Sequence, residues 1–215
     1  MNPSPNSTRP ASPLRLHRMA ISGHCHRVEL MLNLLDLPHE IVDVDLLAGE
    51  QRQAPFLALN PLGQVPVLED GEQVLADSNA ILVYLVRRFA PESAWLPEEP
   101  EAAARQQRWF SLAASLLDRG PATARFSALI GRTVTPESQA MGHVLFGLME
   151  TQLQREAWLV GNAPTLADIS LYGYSAQAGI GGIGLGDYPH LRAWLARVEA
   201  LPGFIPLPDR LEVAS

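Results

Sequence analysis

Leu14-Arg-Leu-His-Arg-Met-Ala-Ile-Ser22-Gly-His-Cys-His-Arg-Val28 is the stretch on which the reading of the fold turns. Residues 14–21 read as a short apolar strand. From Cys25 the apolar positions Val28, Leu30, Met31, Leu32, Leu34 and Leu35 build an amphipathic helix that Pro38 stops. Ser22-Gly23 therefore stands at a strand-to-helix turn, with a side-chain oxygen beside the unpaired N–H groups of the first helical turn. Those donors, and the positive end of the helix dipole, attract an anion.

Working outward, residues 39–45 alternate as a second strand. Residues 46–60 are polar, are interrupted by Pro55, and are expected to hold a short irregular helix. Residues 65–69 and 73–75 read as strands joined across Asp70-Gly71, a hairpin signal. Ser78 then starts a helix with Ile81, Leu82, Leu85 and Phe89 at helical spacing. The order is βαβαββα. Strands joined by a helix run parallel and hairpin strands antiparallel, so the sheet is mixed with helices on its faces. Residues 14–90 thus read as an α/β, thioredoxin-like domain. Pro91, Pro97 and Pro100, with acids between them, give residues 91–100 the composition of a linker. Residues 101–215 carry no strand pattern; helices are expected over 101–118, 136–154, 165–177 and 189–201, an all-α second domain. Residues 1–13, rich in Pro, Ser and Asn, are expected to form a flexible tail.

Composition narrows the function classes. A net charge of −7 over 215 residues argues against nucleic acid or an anionic membrane surface as partner. One cysteine excludes an internal disulfide and fits a reducing, cytoplasmic setting. The longest apolar run, residues 80–86, is far short of the roughly 20 residues of a membrane helix, so a soluble protein is expected. His24, Cys25 and His26 are consecutive and point apart on a helix, and the other histidines are isolated, so no metal is expected. Gly179-Ile-Gly181-Gly182-Ile-Gly184 fits GxGxxG but lies between two helices rather than in a βαβ unit, and reads as a flexible connection.

Four stretches, in this order, resemble the cytosolic glutathione transferase family: Ser22-Gly-His-Cys-His-Arg-Val28; Asn60-Pro-Leu-Gly-Gln-Val-Pro-Val-Leu68; Asp77-Ser78 opening a helix; and Gly161-Asn-Ala-Pro-Thr-Leu-Ala-Asp168. The resemblance covers nearly all of the chain after the tail and is to the serine-type, theta-, delta- and beta-like classes. It implies a cis bond between Val65 and Pro66, with the Val65 backbone pairing the cysteinyl unit of glutathione. It implies that Asp77 and Ser78 hold the γ-glutamyl end, and that Gln51 and Gln64 reach the glycyl carboxylate as neutral donors. It further implies a homodimer, and a hydrophobic electrophile taken by the helical domain, where Arg105, Ser115 and Arg119 are candidates. Read without the family, Ser22 and Asp77-Ser78 are N-caps, Pro66 an ordinary strand-start proline, Trp109 a core residue, and Thr165 to Asp168 a structural capping box with Pro164 and Ile169 as its staple.

The chemistry gives Ser22 a further role. A thiol of pKa near 8.5 is only a few per cent thiolate at neutral pH, and the thiolate is the nucleophile. A serine hydroxyl cannot take the proton, but it can donate a hydrogen bond to the anion. Lowering the thiol pKa by two units needs about 2.7 kcal/mol. A hydroxyl–anion bond of roughly 1.5–3 kcal/mol plus a helix-terminus term of roughly 0.3–1 supplies it. Cys25 is the rival: Ser22-Gly-His-Cys25 occupies the place of a Cys-x-x-Cys motif without its first cysteine, and a reactive Cys25 would give glutathione-dependent disulfide reduction or thiol transfer. A third reading is a glutathione-binding scaffold without catalysis.

Overall fold

The structure is a computed structural model that describes residues 9–210; the part of the expected tail over residues 1–8 lies outside the described residues. The chain divides into two compact units, one of residues 9–93 together with residues 202–210, the other Ala94–Leu201.

In the first unit the order is β1 (Leu14–Arg18), α1 (Gly23–Leu34), β2 (His39–Asp43), a 3₁₀ turn (Glu50–Arg52), α2 (Ala54–Leu59), β3 (Val67–Asp70), β4 (Gln73–Ala76) and α3 (Ser78–Phe89). The sheet runs β2-β1-β3-β4, with β1 parallel to β2 and antiparallel to β3, and β3 antiparallel to β4. This is the mixed sheet that a helical crossover followed by a hairpin requires. Side chains alternate along β1. Leu14 and Leu16 are fully buried, each worth about 1.5–3 kcal/mol against exposure. His17 points to the opposite face, where its ring meets Phe56 of α2 edge-on at 6.2 Å. Phe56, Val44 and Val67 form a separate cluster with Leu46, Leu59 and Val65 packed against it.

The short helix expected within residues 46–60 is present as α2, with Pro55 in its first turn, where an absent N–H costs nothing. One local expectation is corrected. Residues 202–210 do not join the helical domain. His26 Nε2 bonds the Ile205 carbonyl at 2.8 Å and Leu207 is buried, so the segment belongs with α1.

The second unit holds α4 (Pro100–Leu112), a π-helical segment (Ala113–Ala122), α5 (Thr123–Leu129), α6 (Pro136–Leu153), α7 (Leu166–Ala176), a 3₁₀ turn (Ala178–Gly181) and α8 (Pro189–Glu199). The helix expected over residues 101–118 does not end there. Instead the wider π-helical turn carries the chain past the proline into α5, and Thr123 Oγ1 donates to the Asp118 carbonyl at 2.9 Å. The glycine run is also not a loose connection. A Cβ on Gly181 would lie 2.6 Å from the Ala124 Cβ, so only glycine lets the turn pack on α5. Trp109, Phe146, Leu166, Ile169 and Trp194 are buried in the core of this unit. No described helix is long and apolar enough to cross a membrane.

Candidate active site

Ser22 ends the turn after β1 in an extended conformation, and its N–H donates to the Met19 carbonyl at 2.9 Å. Its Oγ accepts from the Cys25 N–H at 3.3 Å, the N-cap contact of α1. A hydroxyl offers one hydrogen and two acceptor sites. The cap uses an acceptor site, which leaves the hydroxyl hydrogen as a donor. Capping and donation to an anion are therefore compatible in one side chain.

Cys25 is placed differently. It is fully buried, and its Sγ accepts from the Met19 N–H at 3.5 Å. Burial pushes the thiol up to about 11, against the smaller opposing pull of the Ser22 contact. Such a thiol is neutral and shielded at physiological pH, which removes both conditions for redox reactivity. We expect iodoacetamide to leave Cys25 untouched in the folded protein at neutral pH and to alkylate it in denaturant; mass spectrometry reads the difference. The pH dependence carries a definite sign. The folded thiol ionises later than an unfolded one, so its contribution to stability is intact below about 9 and is lost as pH rises toward about 11. Cys25→Ala should flatten that part of the stability profile.

The segment leading to β3 is braced from within. Buried Asn60 donates from Nδ2 to the Gln64 carbonyl at 2.7 Å and accepts the Leu62 N–H at 3.1 Å. Gly63 takes a φ of +60, and a Cβ there would meet the Gln51 carbonyl at 2.9 Å. The brace delivers the chain to a cis Val65–Pro66 bond with Pro66 buried and Val65 half-buried. Gln64 is exposed. Gln51 sits in the 3₁₀ turn before α2, its Nε2 turned toward the Leu46 carbonyl at 3.4 Å. Its buried Oε1 has no hydrogen-bond partner among the described residues. As placed, the donor end of Gln51 faces its own loop.

Asp77 is exposed and caps α3, its Oδ1 accepting the Ala80 N–H at 2.9 Å. Its φ of +70 is unusual for a residue with a Cβ and marks a backbone held by its surroundings. Ser78, the first residue of α3, is 7% exposed. A residue the motifs did not single out lies against it: Arg27 of α1, 2% exposed, donates from Nη1 to Ser78 Oγ at 3.2 Å and to Asn79 Oδ1 at 3.0 Å. The signal was present as a charge on the apolar side of α1, where Leu30 and Met31, three and four positions on, are both fully buried.

In the helical unit the candidates separate. Arg105 pairs with Glu156 at 2.5 Å, which holds the Glu156 carboxyl below its usual range. Ser115 is exposed and donates to the Ser111 carbonyl at 2.7 Å, and Arg119 is exposed. Trp109 Nε1 donates to the Leu159 carbonyl at 3.0 Å, a core contact. Asp168 is fully buried; Oδ2 accepts from Thr165 N–H at 2.8 Å and Oδ1 from Leu159 N–H at 3.0 Å and Trp194 Nε1 at 2.7 Å. Its role is structural. No group of three or more His, Cys, Asp or Glu among the described residues could hold a metal ion.

A thioredoxin-like unit with a cis-proline strand start and an anion-suited helix N-terminus, followed by a helical unit built on a capping box, defines a class. Residues 16–93 match the family described as glutathione S-transferase, N-terminal domain, and residues 131–202 its C-terminal domain. The chain is 33% identical to glutathione S-transferase 3 of Zea mays, over 92% of this chain and 96% of that one. It is 31% identical to glutathione S-transferase theta-1 of Homo sapiens, over 88% and 84%. A crystal structure of glutathione S-transferase from Pseudomonas fluorescens superposes with a TM-score of 0.86 at 36% identity, covering 91% of this chain and 99% of that one. The chain belongs to the glutathione S-transferase family, and it is an enzyme.

Proposed function

We propose that the protein transfers glutathione to a hydrophobic electrophile, and that Ser22 keeps the glutathione sulfur ionised for the attack. The observation that carries this reading is the placing of Ser22: its hydroxyl caps α1 through an acceptor site, and a hydroxyl used in that way can still donate to an anion at the helix terminus. The backbone of Val65, beside the cis bond, pairs with the cysteinyl unit, and Asp77 and Ser78 at the start of α3 take the γ-glutamyl end. Gln64 serves the glycyl carboxylate; Gln51 joins it only if its amide leaves the Leu46 carbonyl. The thiol proton passes to solvent, since no residue here acts as its base. The Ser22 hydroxyl and the helix terminus then favour the thiolate over the thiol.

The burial of Cys25 speaks against disulfide reduction through that residue, and a serine hydroxyl able to donate to a thiolate gives a pure scaffold no advantage. As its working state we propose a homodimer in the cytoplasm. Exposed Val144 and Leu148, one helical turn apart on α6, offer apolar surface that a second copy would cover.

Calorimetry should show glutathione binding, and a chlorinated nitroaromatic should be conjugated at a rate first order in enzyme. Cys25→Ala should retain both. Disulfide reduction that disappears in Cys25→Ala while conjugation was never present would overturn the reading.

A further inference from the structure

Arg27 is a buried cation that the chemistry at Ser22 leaves without a role. It belongs to α1, five residues past the serine that caps that helix. Its Nη1 reaches the first two residues of α3, Ser78 and Asn79. One guanidinium thus ties together the two helix N-termini of the candidate site. Arginine carries donors only, so its contact makes Ser78 Oγ the acceptor and turns the single Ser78 hydrogen elsewhere. The bond to Oδ1 fixes the Asn79 amide in the same way. The charge is permanent and adds to the positive end of α3.

We propose that Arg27 is a positioning residue for glutathione: it orients the Ser78 hydroxyl toward the α-carboxylate of the γ-glutamyl group and supplies charge for that anion. It rests on the glutathione reading above and adds the group that makes Ser78 an anion donor. If Arg27 merely pinned α1 to α3, its loss would lower stability and would affect every ligand alike. A positioning role confines the loss to ligands that bear the carboxylate.

The test compares glutathione with γ-aminobutyryl-cysteinyl-glycine, the same tripeptide without that carboxylate, in wild type, Arg27→Met, Arg27→Lys and Ser78→Ala. Calorimetric affinities and steady-state kinetics are read for each. Arg27→Met is expected to weaken glutathione about tenfold or more, as the loss of a charge-assisted contact implies. KM for glutathione should rise while kcat changes little, and affinity for the truncated peptide should match wild type. Arg27→Lys restores part of the loss. In a Ser78→Ala background, Arg27→Met should cost far less. Equal weakening of both peptides by Arg27→Met, or no weakening of glutathione, overturns the proposal. If Arg27→Met does not fold, the same comparison is made with Arg27→Lys: a loss confined to glutathione supports the proposal, and an equal or absent loss overturns it. Wild type that binds no glutathione would instead sink the glutathione reading itself.

Discussion

Ser22→Ala should lower conjugation at neutral pH by about ten- to hundredfold, with KM for glutathione close to wild type. The size follows from the bond that is removed: a hydroxyl contact to an anion is worth roughly 1.5–3 kcal/mol, and each 1.4 kcal/mol is a factor of ten. The loss falls on kcat because the bond is made to the thiolate, whereas the peptide is held elsewhere. The variant's rate should climb as pH rises toward the range of a free thiol, since solvent then does what Ser22 did. A pH–rate profile reads this directly. Ser22 is also a cap, and losing a cap costs about 1 kcal/mol of stability. Ser22→Asp separates the two roles. Its carboxylate still accepts the Cys25 N–H, so stability should hold, but it places a negative charge where the thiolate forms. Activity should fall below that of Ser22→Ala. An active Ser22→Asp would show that the hydroxyl does nothing beyond capping.

The elements that periodicity marks strongly lie where the sequence put them. α3 begins at Ser78, and α6, α7 and α8 begin within a residue of expectation, because a capping Asp or Thr or a first-turn proline marks each start. Proline and glycine are weaker punctuation than their local chemistry suggests. Pro55 starts a helix because its missing N–H falls in the first turn. Gly120-Pro121 passes through a helix because a π-helical turn absorbs the proline. Which unit residues 202–210 join could not be read locally, since it depends on a contact between positions 179 residues apart, His26 and Ile205. The same limit applies at the site. Ser22 and Asp77-Ser78 announce themselves as caps, but Arg27 matters only because the fold brings α1 against α3, and the turn of the Gln51 amide toward the Leu46 carbonyl is likewise a product of the folded loop. The burial that silences Cys25 is likewise a property of the packed unit, although its place one turn inside a helix pointed to it.

Asp168→Ala should be the most destabilising substitution at any position considered above. The carboxylate is fully buried and, besides the Thr165 hydroxyl, satisfies three buried N–H donors on three segments: Thr165 N–H at the start of α7, Leu159 N–H in the preceding loop and Trp194 Nε1 on α8. Alanine leaves all three without an acceptor. A buried donor left unpaired costs about 1–3 kcal/mol, and such losses add incompletely, so about 3–5 kcal/mol is expected. That is a large share of the 5–15 kcal/mol that holds a typical domain folded. The midpoint of thermal unfolding should fall by about 10 °C, at roughly 2–4 °C per kcal/mol for a chain of this size. If Asp168 did no more than cap α7, the loss would be about 1 kcal/mol, so denaturant titration distinguishes a local cap from a three-way junction. Asp168→Asn sharpens the distinction. An amide can keep an oxygen for Leu159 and Trp194 but then turns its NH₂ toward the Thr165 N–H, donor against donor. Its stability should fall between wild type and alanine. Trp194→Phe removes one donor without stranding another and should cost less than either. At temperatures where Asp168→Ala remains folded, its glutathione affinity should equal wild type, because nothing in the junction belongs to the unit that carries Ser22, Val65 and Ser78.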